Sequence, residues 1–570
     1  MIFRRRALLL SVILLAAFAL RVWGLGFGLP FQAHQDEPIV VNHAMAYGSG
    51  DLNPHFFMIP PFTSYVLFFA YGVMFLIGKL FGAWGAASEF ARAFFLDPSL
   101  FYVVGRFFIG VIPGTLCVGL TFRLASLLLD ERGALYAAAI MAFSFLNVVN
   151  SHYIYTDMLL MLVLILGIIV LVKFYRSPSI MGHVVCGALI GLAAGVKYNG
   201  VLLAATYAFA FYLSSKRDGK NIKGMIFSPG PVLAAASASA VFVLVNPFSV
   251  ISPSEFAGSF IAQSGCFWYT GPLHHFFYSL SEGISLPLTL AGMAGLVLIS
   301  LGNDKGRIFV SFPAVYYALI VFRSQHFSRY VLPLVPFFAV GAAYFLLQAL
   351  PHFFKSSSAR RFCAAAAIFL LVPTAVKSVK ADFIFSSTDT RIVSARWIHK
   401  NLPPGERLAF DSTVHRPALR QPASQLEAKK EHSGSQEGLG KLKGEKLRFM
   451  IEAAGKRGDA YPLYFMYRDP VVQGQFLDTL PALPFDVERL KEEGIRYVVV
   501  NSQENHSEKE LFLEELEASA DKVMEFSPYD DGIYRESFDR IDATCIPVSD
   551  RELFSRRKLG PAIRVYRLKQ

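Results

Sequence analysis

The feature that most constrains this chain is a series of long apolar runs, separated by short polar stretches, from Ala7 to about Lys380. A helix needs roughly 20 mostly apolar residues to cross about 30 Å of hydrocarbon, and many of these runs reach that length. Only 17% of the 570 residues are charged, against about 25% in an ordinary soluble protein. From about Ala381 to Gln570 the composition becomes that of a soluble domain. The expected architecture is a polytopic α-helical membrane domain over 1–380, followed by a soluble α/β domain over 381–570.

The formal net charge is +11, but its distribution speaks against nucleic acid. The cations gather at the ends of apolar runs: Arg4 to Arg6, Arg123 and Arg132, Lys173 and Arg176, Lys216 to Lys223, and Lys355 to Arg361. That pattern suits cytoplasmic loops under the positive-inside bias. Of the five cysteines, Cys117, Cys186 and Cys363 lie in apolar runs, and no metal-type spacing occurs. No disulfide is expected between the remaining two, Cys266 and Cys545. The opening Arg4–Arg6 and Ala7–Leu20 resemble a signal peptide without a clear cleavage site, so the segment reads as a retained first helix with its N-terminus in the cytoplasm.

With the basic clusters held on one side, eleven spans result: 7–25, 105–128, 134–150, 158–175, 182–196, 200–214, 225–245, 284–301, 308–322, 330–350 and 362–380. An odd number places the C-terminal domain outside the cytoplasm, in the manner of a multi-pass inner (plasma) membrane protein. The segment 62–82 is also apolar enough to span, but a crossing there would invert the charge bias downstream. It is therefore expected to lie in the outer leaflet, within a long first external loop (26–104), with Pro60-Pro61 at its entry. In the soluble part, a helix is predicted at 389–402 and another at 487–493. Strands are predicted at 407–411, 496–501, 522–526 and 562–568, and the polar stretch 415–446 reads as a flexible insertion.

The unusual polar residues near the membrane concentrate in the external loops. They are His34-Gln35-Asp36-Glu37-Pro38, Asp51-Leu52-Asn53-Pro54-His55, Asn150-Ser151-His152, Tyr155-Thr156-Asp157, Lys197-Tyr198-Asn199, Tyr269 to His275, and Arg323 to Arg329. Carboxylates beside apolar spans are costly unless solvated or paired, which makes them functional candidates.

Their order resembles a known family: the C-type integral-membrane glycosyltransferases that use polyprenyl-phosphate sugars. Protein O-mannosyltransferases and the aminoarabinose transferases acting on lipid A are the nearest in pattern. The resemblance rests on Asp36-Glu37, Asp51 to Phe56 with Pro60-Pro61, Ser151-His152-Tyr153 with Asp157, Gly187 to Lys197 ahead of Tyr198, and Arg329-Tyr330 with Pro333 and Pro336. It covers roughly residues 7–350. The C-terminal Trp397-Ile398 and Asn401 to Gly405 also look like the external domain of such proteins.

The resemblance implies inverting transfer of a monosaccharide, hexose or pentose, from a polyprenyl-phosphate donor to an acceptor hydroxyl at the extracytoplasmic face. The acceptor would be a glycolipid, glycan or protein of the cell envelope. Such transfer needs a carboxylate base, and Asp36 or Glu37 is the candidate; the family's first-loop acid points to Asp36. Lys197, and next Arg329, would stabilise the departing lipid phosphate, and Asp157 would orient the acceptor or help hold a divalent ion. A metal site would draw on His55 and His274, as in the lipid A enzymes. Those enzymes, however, carry an acidic–basic pair just before the double proline, where this chain has Met58-Ile59.

Each candidate has a plainer alternative. Asp36-Glu37 suits a solvated loop pair or a helix N-terminal charge, and Asp157 a helix cap. Lys197 suits a snorkelling interface residue, Arg329-Tyr330 an interface anchor, and His274-His275 a structural interface role. The competing function is a transporter or flippase for a lipid-linked or small solute. It would be marked by charges deep within spans and by broken helices in paired halves, whereas these charges gather at the outer rim.

Overall fold

The computed structural model describes residues 2–31, 34, 36–220, 222–226, 228–264, 273–321, 327–354, 356–413, 416–432, 439–454, 458–467, 482–502, 507–529 and 549–569. Cys266, Cys545, Tyr269–Pro272 and Arg323 lie outside these residues.

Among the described residues, each expected span falls mainly on helix. By length and composition, five described helices suit a membrane crossing: Phe62–Leu80, Ser99–Ala125, Thr156–Arg176, Ser328–His352 and Ser357–Asn401. A sixth is added if His275–Ile284 and Leu286–Gly302, bent by 112°, form one broken span. The bend sits at Ser285, which has a φ of +82°. Ile180–Val196 and Pro229–Val245 are shorter apolar helices. The expected number of eleven is thus not reached by these criteria. Ser144 ends Glu131–Phe143 before Phe145–Asn150 begins, and charges enter the ends of Leu203–Arg217 and Asp304–Ile320. The segment expected to lie along the outer leaflet, Phe62–Leu80, is a helix long enough to cross. Its Phe69, Leu76 and Leu80 are exposed, while Tyr71 packs against Phe101.

One apolar cluster runs through the bundle, uniting Val118, Ile140, Leu164, Ile190, Leu296, Phe309 and Phe337. Small residues allow its helices to touch backbone to backbone, as is common where lipid offers no hydrophobic drive. A Cβ on Gly187 or Gly191 would come within 2.1 Å of the Ala234 or Ala238 carbonyl oxygen.

The C-terminal region is built on a mixed five-stranded sheet. Its strands are β1 (Leu408–Phe410), β2 (Leu463–Phe465), β3 (Tyr497–Asn501), β4 (Ala520–Phe526) and β5 (Ile563–Leu568), in the order β2-β1-β3-β5-β4. β1 is parallel to β2 and β3, while β5 is antiparallel to β3 and β4. Separate apolar clusters cover its faces, one around Ile398, Phe410 and Val565, the other around Leu490, Val498 and Phe512. β2, of three residues, was not anticipated.

The stretch 415–446, expected as a flexible insertion, contains Ala423–His432 and the first part of Leu439–Ala454. The second helix docks on the first loop: Phe449 stacks on Phe95 with centroids 5.6 Å apart, and Arg92 lies 3.5 Å from Glu452. At another junction, the Lys377 ammonium lies 2.6 Å from Glu282 and 2.7 Å from Asp550. The C-terminal region is therefore tied to the bundle at two places.

Candidate active site

Four chain segments that lie far apart in sequence converge at one end of the bundle. Asp36 occupies the N-cap position of the Glu37–Ala46 helix, yet its side chain makes no capping hydrogen bond. It turns instead to Arg329, with 2.7 Å between the charged atoms. Asp157 sits in the first turn of Thr156–Arg176 and accepts a hydrogen bond of 2.7 Å from the Lys197 ammonium. Lys197 is the C-cap of Ile180–Val196, where the extended backbone turns its side chain back toward Asp157. Asp157 stands one residue inside the helix start, where Tyr155 is the N-cap, and Asp36 and Lys197 each direct their charge to a partner from another segment.

Tyr155 joins the two ion pairs. The Arg329 guanidinium lies 4.8 Å and the Lys197 ammonium 5.7 Å from the centroid of its ring. Tyr330 faces Lys197 from another side at 5.6 Å. Such cation–π contacts gain strength when water is excluded. Burial and the nearby Asp36 charge push the Tyr155 phenol well above its usual range, so it is a neutral hydroxyl. Burial raises the Asp36 carboxyl, but Arg329, His34 and Lys197 together outweigh it, and the net shift is downward. Asp36 is therefore ionised at neutral pH.

The cluster is incompletely satisfied by the described protein groups. Arg329 Nε and Asp157 Oδ2 are buried without a hydrogen-bond partner. A buried donor or acceptor left this way costs about 1–3 kcal/mol. One donor and one acceptor in the same cluster are what a polar ligand would engage. Asp36 and Lys197 keep the cluster accessible, with 18% and 19% of their side chains exposed.

Glu37, the other candidate base, is placed differently. It is fully buried and bound by both oxygens to Arg106, at 2.8 Å and 2.7 Å. Oε1 also accepts from the Ile154 backbone N–H, and Arg106 donates to the Leu25 and Phe27 carbonyls. The structure thus places Glu37 differently from the expected base: with both oxygens engaged and no exposure, it ties the Leu25–Phe27 backbone, through Arg106, to the segment that begins at Ile154. Arg106 was missed in the sequence, although a cation within the apolar stretch that precedes Arg123 was a signal for it. Tyr155 and Tyr330 stood within quoted motifs, but their shared position between the cations depends on the fold.

The two histidines offered for a metal, His55 and His274, each have other partners in this structure. Both ring nitrogens of His55 contact carboxylates, Asp51 and Glu255, each at 3.0 Å. His274 stacks on Tyr278, with ring centroids 5.3 Å apart. Among the described residues, no group of three or more His, Cys, Asp or Glu is arranged to hold a metal ion.

Comparison with known proteins finds a family match over part of the chain. Residues 99–246 match the family described as dolichyl-phosphate-mannose-protein mannosyltransferase. The match covers about a quarter of the chain and includes Asp157 and Lys197. It falls in the class of membrane glycosyltransferase that the sequence resembles. No curated protein sequence matches the chain. Among solved structures, the chain is similar to ArnT from Cupriavidus metallidurans in the apo state, at 16% identity and a TM-score of 0.46, over 90% of this chain and 96% of that one. The same protein bound to undecaprenyl phosphate gives 16% identity and 0.47, over 91% and 96%. The oligosaccharyltransferase AglB from Archaeoglobus fulgidus, in complex with an inhibitory peptide and a dolichol-phosphate, gives 15% and 0.49, over 94% and 74%.

Proposed function

We propose that this chain is a membrane glycosyltransferase that moves a monosaccharide from a polyprenyl-phosphate donor to an acceptor hydroxyl, with inversion at the anomeric carbon. The observation that carries the reading is the pair of ion pairs meeting at Tyr155, with Arg329 Nε and Asp157 Oδ2 left unpartnered. The family matched by residues 99–246, with its dolichyl-phosphate donor and mannosyl transfer, supports the same class.

In the step itself, the acceptor oxygen bonds to the anomeric carbon as the bond from that carbon to the phosphate oxygen breaks. The acceptor proton passes to the Asp36 carboxylate, and the electron pair of the broken bond leaves with the lipid phosphate. General-base help of this kind contributes typically about 10²–10⁴-fold. Lys197 and Arg329 meet the charge that develops on the phosphate. Asp157 Oδ2 accepts a hydrogen bond from the acceptor or from a sugar hydroxyl.

The Asp36–Arg329 pair gives this assignment a built-in order of events. While Arg329 faces Asp36, it holds the carboxyl below its usual range, which makes a weak base. A donor phosphate that engages Arg329 draws part of that field away and makes Asp36 more basic. As Asp36 takes the proton and loses its charge, Arg329 is freed toward the departing phosphate. The planar guanidinium has five N–H donors and suits this shared duty.

The site is assigned to the extracytoplasmic side of an inner (plasma) membrane, with the C-terminal α/β domain on the same side and the N-terminus in the cytoplasm. Hexose and pentose donors both remain compatible, as do glycolipid, glycan and protein acceptors. The test is to incubate the purified chain with a panel of radiolabelled polyprenyl-phosphate sugars and a membrane extract. Label is expected to leave one donor for one acceptor, and Asp36→Asn is expected to stop it. Failure of every donor to yield product would remove the reading.

A further inference from the structure

The Thr156–Arg176 helix that presents Asp157 at its start ends at a cleft of about 460 Å³. At a rise of 1.5 Å per residue, Lys173 lies about 24 Å along the axis from Asp157, most of a hydrocarbon thickness away. Val170, Phe174, Met181 and Val185 wall the cleft, while Lys173 and Arg176 stand among its lining residues. Gly182 packs closely on its wall: a Cβ there would come within 2.9 Å of the Phe174 ring.

Two properties define what fits. First, its cations are unopposed, since no ion pair joins Lys173 or Arg176 to a carboxylate among the described residues. The nearby acids are otherwise engaged, Asp304 with the Tyr175 hydroxyl and Arg307, and Asp218 with Arg217. Arg217, neutralised by Asp218, donates to the Tyr175 carbonyl at 2.7 Å and holds the end of the helix in place. Second, the apolar wall continues outward onto an uncovered surface, where Ile180, Met181 and Val185 are 68%, 67% and 38% exposed. A free anion would satisfy the cations and leave that surface bare.

We propose that the cleft binds an anionic phospholipid, with its phosphodiester between Lys173 and Arg176 and an acyl chain along Met181 and Val185. Basic pockets between membrane helices recognise such headgroups through charge. Here the charge comes with an apolar track that a soluble phosphate cannot use. The site is separate from the transfer chemistry and stands whether or not that reaction is confirmed.

The test uses the full chain in detergent, with native mass spectrometry reading the lipid retained. Dioleoylphosphatidylglycerol is compared with dioleoylphosphatidylcholine, and inorganic phosphate is added as competitor. Each juxtamembrane cation favours an anionic headgroup about fivefold, so roughly tenfold or greater preference for phosphatidylglycerol is expected. The double variant K173Q/R176Q should reduce its retention to the phosphatidylcholine level. A second variant, Val185→Trp, fills the acyl track while keeping both cations, and should lose the same lipid. Equal retention of both lipids by the native chain would overturn the proposal. So would undiminished phosphatidylglycerol retention by K173Q/R176Q, or its complete displacement by millimolar inorganic phosphate.

Discussion

Asp36 and Glu37 are neighbours in sequence, and each meets an arginine, but the two pairs are built for different tasks. Glu37 and Arg106 are wholly buried and matched fork to fork, and their other hydrogen bonds go to backbone. Asp36 and Arg329 are partly open, share an aromatic neighbour with Lys197, and belong to a cluster whose Arg329 Nε and Asp157 Oδ2 lack partners. A saturated buried pair fixes backbone segments, and removing one partner strands a charge. An unsaturated pair at an accessible rim keeps capacity for a ligand. The contrast separates scaffold from site more sharply than residue type or position in the chain.

The largest effect should come from the open pair. Asp36→Asn is expected to lower sugar transfer by about 10²–10⁴-fold while leaving expression and thermal stability near the native level. Retained activity would break the assignment of Asp36 as base. The saturated pair should respond in the opposite way. Glu37→Gln, which leaves Arg106 buried against a neutral partner, is expected to destabilise the protein by about 3–5 kcal/mol, read as a lowered unfolding temperature in detergent. If instead Glu37→Gln folds normally and only activity falls, Glu37 belongs to the site after all.

A smaller effect is expected at the second rim pair. Lys197→Met should reduce transfer, with Lys197→Arg retaining part of it, because charge at the phosphate matters more than the shape of the donor. Equal activity in the two variants would show that Lys197 acts only as packing beside Tyr155.

The smallest effect concerns His55, at an exposed ion-pair cluster. Burial lowers its affinity for a proton, but hydrogen bonds and charge from Asp51 and Glu255 outweigh this, and the net shift is upward. The stabilisation is therefore fully present below the unfolded value of about 6.5 and is lost as pH rises through the higher folded value. Exposure limits it to at most about 1 kcal/mol. His55→Gln should flatten this part of the stability–pH profile, as measured by denaturation between pH 6 and 8.

Much of the architecture was legible because its causes are local. Apolar run length placed the helices, including the 21 residues of Thr156–Arg176, and Pro60-Pro61 marked the entry of Phe62–Leu80. In the C-terminal region, the helix expected at 487–493 and the strand expected at 496–501 are both present, and Gly494, with a φ of +69°, makes the turn between them. Short elements were less legible: β2 has three residues, and the helices within 415–454 lie in polar sequence whose stabilising contact with Phe95 comes from the first loop. The candidate residues Asp36, Asp157, Lys197 and Arg329 were readable as polar groups beside apolar spans. Their pairing was not, because each partner arrives from a different helix end.

By itself, the sequence determined a series of long apolar helices followed by alternating helix and strand, since apolar length and alternating pattern act within a few turns of chain. It also put acids and cations at the ends of the spans, where desolvation is least costly. Only the tertiary structure decided which acid would be sealed against Arg106 and which would face Arg329. Adjacent residues on a helix point in different directions, and which direction meets bulk protein and which meets an opening depends on the elements packed around them.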